Sequence, residues 1–157
     1  MLLNKNKAYT LIELIVSIAL VAIISISVIP RFLQTAQFQQ QVFLQQLMHS
    51  LAYIQNLAIG TGCHISATNN VNTMTFNLRQ NCISGAFSQS VFDPQNVNNA
   101  LVITAPSNVT IVTVNFPIYF DNNGLAYSVS NGAIVNSSVS VNSQSFSITG
   151  NTGLISE

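Results

Sequence analysis

A long apolar segment near the start of the chain constrains its fold more than any other feature. Between residues 11 and 29, 15 of 19 positions are apolar, and the exceptions are Glu13, Ser17, Ser25 and Ser27. As an α-helix rising about 1.5 Å per residue, the segment is about 28 Å long, close to the thickness of a bilayer core. The sequence therefore predicts a helix that crosses a membrane once.

The residues before this segment do not form an ordinary secretory signal. Such a signal has a small-residue cleavage site after its apolar core, so the core is lost on processing. Here the small residue behind the basic leader, Ala8, precedes the core. Cleavage after Ala8 would leave the apolar helix on the mature protein. Lys5 and Lys7 also favour a leader on the cytoplasmic side, by the positive-inside rule.

Glu13 places a carboxylate in the first turns of the membrane helix. A charged carboxylate in lipid is costly unless a partner neutralises it. After cleavage, the nearest cation is the new α-amino group of Tyr9, in the same chain or in a neighbouring subunit. The alternative interpretation is a tolerated charge that extends toward the membrane interface.

Residues 8–14, Ala-Tyr-Thr-Leu-Ile-Glu-Leu, resemble the class III prepilin leader of type IV pilins and type II secretion pseudopilins. The resemblance implies removal of residues 1–8 by a prepilin peptidase, with cleavage between Ala8 and Tyr9, and N-methylation of Tyr9. It also implies assembly through the helix with other pilins or pseudopilins, at an inner-membrane assembly platform. Glu13 falls where the family keeps the glutamate that meets the amine of an adjacent subunit. Ala8 and Tyr9 stand where the family usually has Gly and Phe.

The charged residues are few. The 157 residues leave room for one modest domain beyond the membrane helix, and they include four Lys or Arg and four Asp or Glu. Removal of residues 1–8 would leave two basic residues, Arg31 and Arg79, against four acidic ones. Nucleic-acid binding draws its affinity from several Lys or Arg contacts to phosphate. We therefore expect no nucleic-acid partner and no small-molecule substrate.

A second helical segment is predicted over residues 30–59. Pro30 follows the apolar run and is expected to kink the helix without ending it. Type IV pilins commonly carry a proline at this distance from the glutamate, and the resemblance implies the same role for Pro30. Beyond it the sequence is rich in glutamine, and apolar residues recur at spacings of three and four. These apolar residues are Leu44, Leu47, Leu51, Ile54 and Ala58. We expect them to pack on a sheet, and Gly60-Thr61-Gly62 to end the helix.

Residues 60–157 change to a period of two and predict a β-rich head. Residues 63–68 and 73–78 are expected to form a hairpin around the turn 69–72, and residues 84–99 an irregular connection with at most a short strand near Val91. Phe146 and Ile148 should face the core. Further strands are predicted at 101–104, 109–114, 118–120, 127–129, 134–135, 139–141 and 145–149.

Cys63 and Cys82 are the two cysteines of the chain. Translocation of everything beyond residue 29 would place them in an oxidising compartment, where a disulfide between them is the expected state. Such a bridge would hold the open end of the predicted hairpin. The alternative is a pair of buried free thiols.

No catalytic, cofactor or metal site is predicted. A nucleophilic site needs Ser or Cys beside a His that a carboxylate orients, and the carboxylates beyond the membrane segment lie in turns or at the terminus. His64 with Cys63, Cys82 and His49 would make a zinc site of poor spacing that competes with the disulfide. Residues 121–124, Asp-Asn-Asn-Gly, are more typical of a turn than of a calcium loop.

The end of the second helix and two segments of the head carry a second, weaker resemblance. Residues 51–59, 118–124 and 146–153 resemble FimT/GspH-type minor pilins and pseudopilins, and the positions of Cys63 and Cys82 are similar to minor pilins of mannose-sensitive haemagglutinin pili. The resemblances imply an α+β, pilin-like fold, in which a long N-terminal helix packs on a small antiparallel head.

The predicted organisation has four parts: a leader at 1–8, a transmembrane and assembly helix at 9–29, an amphipathic helix at 30–59 and a periplasmic head at 60–157. The predicted function is a non-enzymatic minor pilin or pseudopilin. It would be anchored by a single pass in a bacterial inner membrane and later built into a pilus or pseudopilus. The alternatives are an adhesion or DNA-uptake module on a pilus tip, and a membrane-anchored enzyme.

Overall fold

The computed structural model describes residues 10–32 and 35–157, and the side chains of residues 10–23 and 37–157. The chain divides into two compact units between Gln37 and Phe38. In the first unit, helix α1 spans Leu11–Phe32 and continues through Pro30, as predicted. The kink at Pro30 stays a prediction.

Helix α2 spans Thr35–Thr61. The predicted apolar residues of this helix are all buried, with at most 2% of their surface exposed: Leu44, Leu47, Leu51, Ile54 and Ala58. Gly62 ends the helix in the left-handed region, with φ of 71°, and its N–H donates to the Ala58 carbonyl at 2.9 Å. Only glycine adopts this conformation without steric cost, so the predicted stop is confirmed.

Twelve strands follow in the described residues. They are β1 (Ile65–Asn70), β2 (Thr73–Arg79), β3 (Phe87–Ser90), β4 (Phe92–Asp93), β5 (Asn96–Ala100), β6 (Val102–Thr104), β7 (Ile111–Val114), β8 (Ile118–Phe120), β9 (Ala126–Ser128), β10 (Ser137–Val141), β11 (Gln144–Ile148) and β12 (Ile155–Ser156). The first sheet has the order β3-β2-β1-β8-β9, with β6 also paired to β2. The second has the order β12-β11-β10-β7. Every pairing is antiparallel.

The first hairpin forms with a different register from the one predicted. Ile65, not Cys63, pairs with Leu78, and Asn70 pairs with Thr73. The connecting turn is therefore two residues long, not four. Val71 occupies it with φ of 56°, a conformation that β-branched residues rarely adopt. Sequence rules assign such a position to Gly or Asn, which explains the error.

The connection at 84–99 was wrongly predicted as irregular. It contains β3, which joins the first sheet, and β4 and β5, which form a two-stranded sheet of their own. All five residues of β5 are exposed. Without a buried side, these residues carry no alternation of apolar and polar positions, so the pattern that identifies a strand is missing.

One core joins the head. Side chains of α2 and of both larger sheets form a single buried cluster. Phe146 and Ile148 of β11 lie within it, as predicted. Helix α2 is therefore held to the head by apolar packing along its length from Phe43 to Ala58.

Candidate functional site

Thr10 and Glu13 organise the start of α1. The Thr10 carbonyl accepts hydrogen bonds from the N–H groups of Glu13 at 3.1 Å and Leu14 at 3.3 Å. The Thr10 hydroxyl also accepts from the Glu13 N–H at 3.3 Å. This is the geometry of an N-cap, and the spacing Thr-x-x-Glu is that of a capping box. The Glu13 side chain therefore lies in the first turn of the helix, where the helix dipole favours a negative charge.

The apolar side chains that follow Glu13 are exposed on all sides of the helix. All described side chains of α1, from Leu11 to Ile23, are exposed, and Leu11 reaches 78%. A helix that is apolar around its whole circumference is normally buried in a large core or in lipid. Within the residues whose placement is described, no helix meets the length and hydropathy needed to cross a membrane.

The two residues of the predicted processing site, Ala8 and Tyr9, lie outside the described residues. Cleavage between them and methylation of Tyr9 stay predictions. The described helix begins at Leu11, two residues after Tyr9.

A disulfide joins Cys63 and Cys82, whose Cα atoms are 4.3 Å apart. Cys63 precedes β1 and Cys82 follows β2, so the bridge closes the open end of the first hairpin, as predicted. Backbone hydrogen bonds reinforce this end: His64 N–H donates to the Cys82 carbonyl at 2.8 Å, and Arg79 N–H donates to the His64 carbonyl at 3.1 Å.

Replacing both cysteines with serine should lower the free energy of unfolding of the head by about 3 kcal/mol, the loop-closure value for a loop of about 20 residues. The bridge spans a sequence separation of 19. Denaturant unfolding of parent and double variant, each without reductant, measures the difference. The parent protein with dithiothreitol should unfold like the double variant. Equal stability of all three samples would contradict the prediction.

Five side chains on the first sheet form a surface that we call the aromatic face: His64, Arg79, Phe87, Tyr119 and Tyr127. The Tyr119 ring stacks on His64 at 5.2 Å and on Tyr127 at 5.3 Å between ring centroids. Phe87 lies 5.5 Å from the same ring. Tyr119 is 8% exposed because these neighbours cover it.

Arg79 completes the aromatic face. Its Cζ lies 4.5 Å from the Phe87 ring centroid and 5.1 Å from that of Tyr119, within cation–π range. Sequence reasoning missed this cluster. Two signals were available: Tyr119 lies between Ile118 and Phe120 on a predicted strand and so faces the opposite side of the sheet, and Arg79 is the one Lys or Arg after residue 31.

The pKa values of two aromatic-face residues depart from their ordinary ranges. Burial lowers the pKa of His64, the positive charge of Arg79 lowers it further, and Asp121 opposes these effects. Partial burial raises the pKa of Tyr127, and the nearby carboxylate of Asp121 raises it as well. His64 is therefore favoured in its neutral form.

The lowered pKa of His64 predicts a pH dependence of stability. In the unfolded chain His64 titrates near 6.5, so below this pH the unfolded state binds more protons than the folded state. The free energy of unfolding should therefore fall as the pH drops from 6.5 through the folded-state pKa, and His64 should add no pH dependence above 6.5. Urea unfolding of His64→Phe, which keeps an aromatic ring without the titration, should show a weaker fall.

The matched control is His49→Gln, because His49 is exposed on α2. Its stability should follow pH as in the parent protein. An unchanged pH dependence in His64→Phe would contradict the assignment.

A cavity of about 410 Å³ between α2 and the β4–β5 hairpin brings together His49, Ser50 and Asp93. These are the residue types of a nucleophilic triad. However, the Ser50 hydroxyl donates to the Gln46 carbonyl at 2.8 Å, as serine commonly does within a helix. The hydroxyl is not bonded to a general base, so the arrangement lacks the geometry that nucleophile activation requires.

Asp121 acts as a turn residue. It is 7% exposed, and its Oδ1 accepts from the N–H groups of Asn123 at 2.9 Å and Leu125 at 2.8 Å. Across the described residues, no three His, Cys, Asp or Glu side chains are placed to hold a metal ion. The carboxylate of Asp121 instead fixes the turn between β8 and β9.

Three distant segments meet beside this turn. The Gln55 side chain on α2 donates from Nε2 to the Gly124 carbonyl at 2.8 Å. Gly153 lies so close that a Cβ there would overlap the Gly124 carbonyl oxygen and Gln55 Nε2. We call these three residues the glycine junction. The segments 51–59, 118–124 and 146–153 that carried the second resemblance each contribute one of its residues.

Comparison with known proteins gives one family match and several similar solved structures. The prokaryotic N-terminal methylation motif matches residues 3–29. No curated protein matches the sequence. Among solved structures, the minor pseudopilin EpsH from the type 2 secretion system of Vibrio cholerae has a TM-score of 0.56 at 10% identity, with 74% of this chain and 93% of that chain covered.

The type IV minor pilin FimU of Pseudomonas aeruginosa has a TM-score of 0.54 at 14% identity, with coverage of 77% of this chain and 89% of that chain. The fold is that of minor pilins and minor pseudopilins. This pilin-like fold confirms the predicted α+β class. Together with the methylation motif, it supports a role as a minor pilin or pseudopilin.

Proposed function

We propose that the chain is a structural or priming subunit of a type IV pilus or a type II secretion pseudopilus. A prepilin peptidase would cleave between Ala8 and Tyr9, Tyr9 would be N-methylated, and residues 9–29 would insert into the fibre core. The observation that carries this proposal is the carboxylate of Glu13 in the first turn of an apolar helix whose described side chains are exposed all round.

The driving force we propose for assembly is physical. In lipid the apolar side chains of α1 are already shielded from water, so helix association depends on packing and on polar contacts between helices. Glu13 would supply such a contact by pairing with the α-amino group of a neighbouring subunit. The capping by Thr10 supports this geometry, because it places Glu13 in the first turn of the helix, four positions in the sequence after the residue that would carry the new amine.

The location we propose follows from the same features. Pilins and pseudopilins are anchored in the membrane before assembly, and we infer a single pass through a bacterial inner membrane with the head at residues 60–157 in the periplasm. The Cys63–Cys82 disulfide supports an oxidising compartment for the head. Residues 1–8 would be the leader, and residues 30–59 the helix that joins the anchor to the head.

The chemistry of the described residues favours a subunit without enzymatic activity or cofactor. Ser50 bonds within its helix, Asp121 bonds within its turn, and both cysteines are joined. Within the pilin class, the glycine junction supports assignment to the FimT/GspH-type subunits, because it unites the three segments of that resemblance.

Intact mass and N-terminal sequencing of the protein from its native membrane test the proposal. We expect a chain that starts at N-methylated Tyr9 and is two hydrogens lighter than the reduced form. The same species should be recovered from sheared or purified fibres. A chain that still starts at Met1 and is absent from every fibre fraction would overturn the proposal.

A further inference from the structure

We propose that the aromatic face binds a carboxylate group presented by a neighbouring fibre subunit, with Arg79 as the residue that contacts it. The inference goes one step beyond the proposed function and rests on it for the identity of the partner. The carboxylate site itself is a property of the head, and it is tested separately below.

The guanidinium group of Arg79 is held in place, but not all of its nitrogen atoms have hydrogen-bond partners. Phe87 and Tyr119 support it by stacking, and its Nη1 donates to the Gly85 carbonyl at 3.0 Å. Its Nε is buried and has no hydrogen-bond partner, and no carboxylate of the described residues lies within ion-pair distance. Stacking of this kind reduces the entropy that an arginine loses when it binds a carboxylate.

A second nitrogen on the aromatic face is also unpartnered. His64 Nδ1 is buried without a hydrogen bond. The disulfide holds His64 and Arg79 side by side, through the two backbone hydrogen bonds at the open end of the hairpin. The face therefore combines a positive charge that has no ion-pair partner with a stacked aromatic lining, which suits a carboxylate better than an apolar ligand.

Charge complementarity favours another copy of this chain as the partner that presents the carboxylate. Arg79 is the single Lys or Arg after residue 31, against the carboxylates Asp93, Asp121 and Glu157. Asp121 is engaged in its own turn and makes no ion pair with Arg79. A neighbouring copy of this chain would offer Arg79 the carboxylates of Asp93 and Glu157, and beyond residue 31 its one competing cation would be its own Arg79.

His64 provides a direct reporter of occupancy. The charged or titratable groups around it are Arg79, Asp121 and Tyr119. Because Arg79 lowers the pKa of His64, a carboxylate bound to Arg79 should raise it. The reporter works on the whole chain in detergent micelles and requires no fibre.

The first experiment follows the ring signals of His64 by NMR while sodium acetate replaces sodium chloride at constant ionic strength. We expect acetate to raise the pKa of His64 in a saturable way and acetamide to leave it unchanged. His49, exposed on α2, is the internal control. The effect should vanish in Arg79→Gln and persist in weaker form in Arg79→Lys. The absence of an acetate effect, or an equal effect in Arg79→Gln, would overturn the proposal.

The second experiment tests the source of the carboxylate. Incorporation of Arg79→Glu into native fibres should fall about tenfold, as expected for loss of a charge-assisted contact. Gln144→Glu adds a negative charge to an exposed position of β11 and should incorporate normally. A non-reducing mass measurement confirms the disulfide in each variant, and Arg79→Gln replaces Arg79→Glu if the latter does not form it.

The outcomes separate this proposal from the proposed function. Normal incorporation of both Arg79 variants, together with an acetate effect, would show a carboxylate site that no subunit occupies and would overturn the choice of partner. Loss of the parent protein from all fibres would instead contradict the proposed function and leave the acetate result standing.

Discussion

Replacing Glu13 with alanine should leave the protein in the membrane but remove it from the assembled fibre. The substitution deletes the carboxylate and leaves the apolar helix intact, so insertion into lipid should be unchanged. The proposed partner, the amine of an adjacent subunit, would then be buried without a counter-charge. Breaking one side of a buried ion pair costs about 3 kcal/mol or more, which corresponds to at least about a 100-fold loss of incorporation. Quantitative immunoblots of membrane and fibre fractions measure both quantities.

Ser17→Ala is the matched control for this prediction. Ser17 lies one turn further along α1, and its hydroxyl donates to the Glu13 carbonyl at 2.7 Å within the helix. Its loss removes a polar group from the same region without removing a charge, and incorporation should stay within about twofold of the parent level, as expected for a hydroxyl bonded only within its helix. Normal incorporation of Glu13→Ala would remove the basis for the assembly role of Glu13.

Gly153→Ala should destabilise the head more than any other single methyl addition at its glycines. Gly153 has φ of 63°, and a Cβ there would overlap both the Gly124 carbonyl oxygen and the Gln55 side chain. The backbone of one segment or the other has to move, which would break the hydrogen bond from Gln55 to Gly124. We expect a loss of about 3 to 5 kcal/mol, the range found when strain and a lost buried contact combine. Denaturant unfolding measures the loss.

Gly132→Ala separates the cost of the atomic overlap from the cost of the left-handed backbone conformation. Gly132 has a similar φ of 67°, but a Cβ there would meet no atom within 4 Å. The variant should lose only about 1 kcal/mol, the cost of a left-handed conformation for an L-residue. Equal losses in the two variants would mean that the glycine junction contributes nothing beyond local backbone preference.

The helical part of the fold could be predicted because the forces that shape it are local. The spacing of Leu44, Leu47 and Leu51 defines a buried side of a helix whatever the helix packs against. The end of α2 followed from Gly62, because glycine adopts the observed φ without steric cost. The alternation around Phe146 and Ile148 likewise identified a strand with one buried side.

The errors arose where the residues carry no local signal for the structure that they adopt. Val71 occupies a turn position that sequence rules reserve for Gly or Asn, so the hairpin register was predicted two residues out. Strand β5 has no buried side, so it has no pattern to detect.

The aromatic face depends on side chains from four strands and the residue before β1. Arg79 could be recognised from sequence as a lone cation, but its neighbours Phe87 and Tyr119 lie 8 and 40 positions away in the chain. Their proximity follows from the order β3-β2-β1-β8 in the first sheet, which local patterns do not contain.

The glycine junction sets an order of events during biogenesis. Gln55 is synthesised early, Gly124 much later and Gly153 last, yet the contact among them requires all three. Until the segment that contains Gly153 has been synthesised, the surface on which the apolar side of α2 packs is incomplete. A partly synthesised chain would therefore keep α2 loosely held, and the compact head would form only after the segment that contains Gly153 had become available.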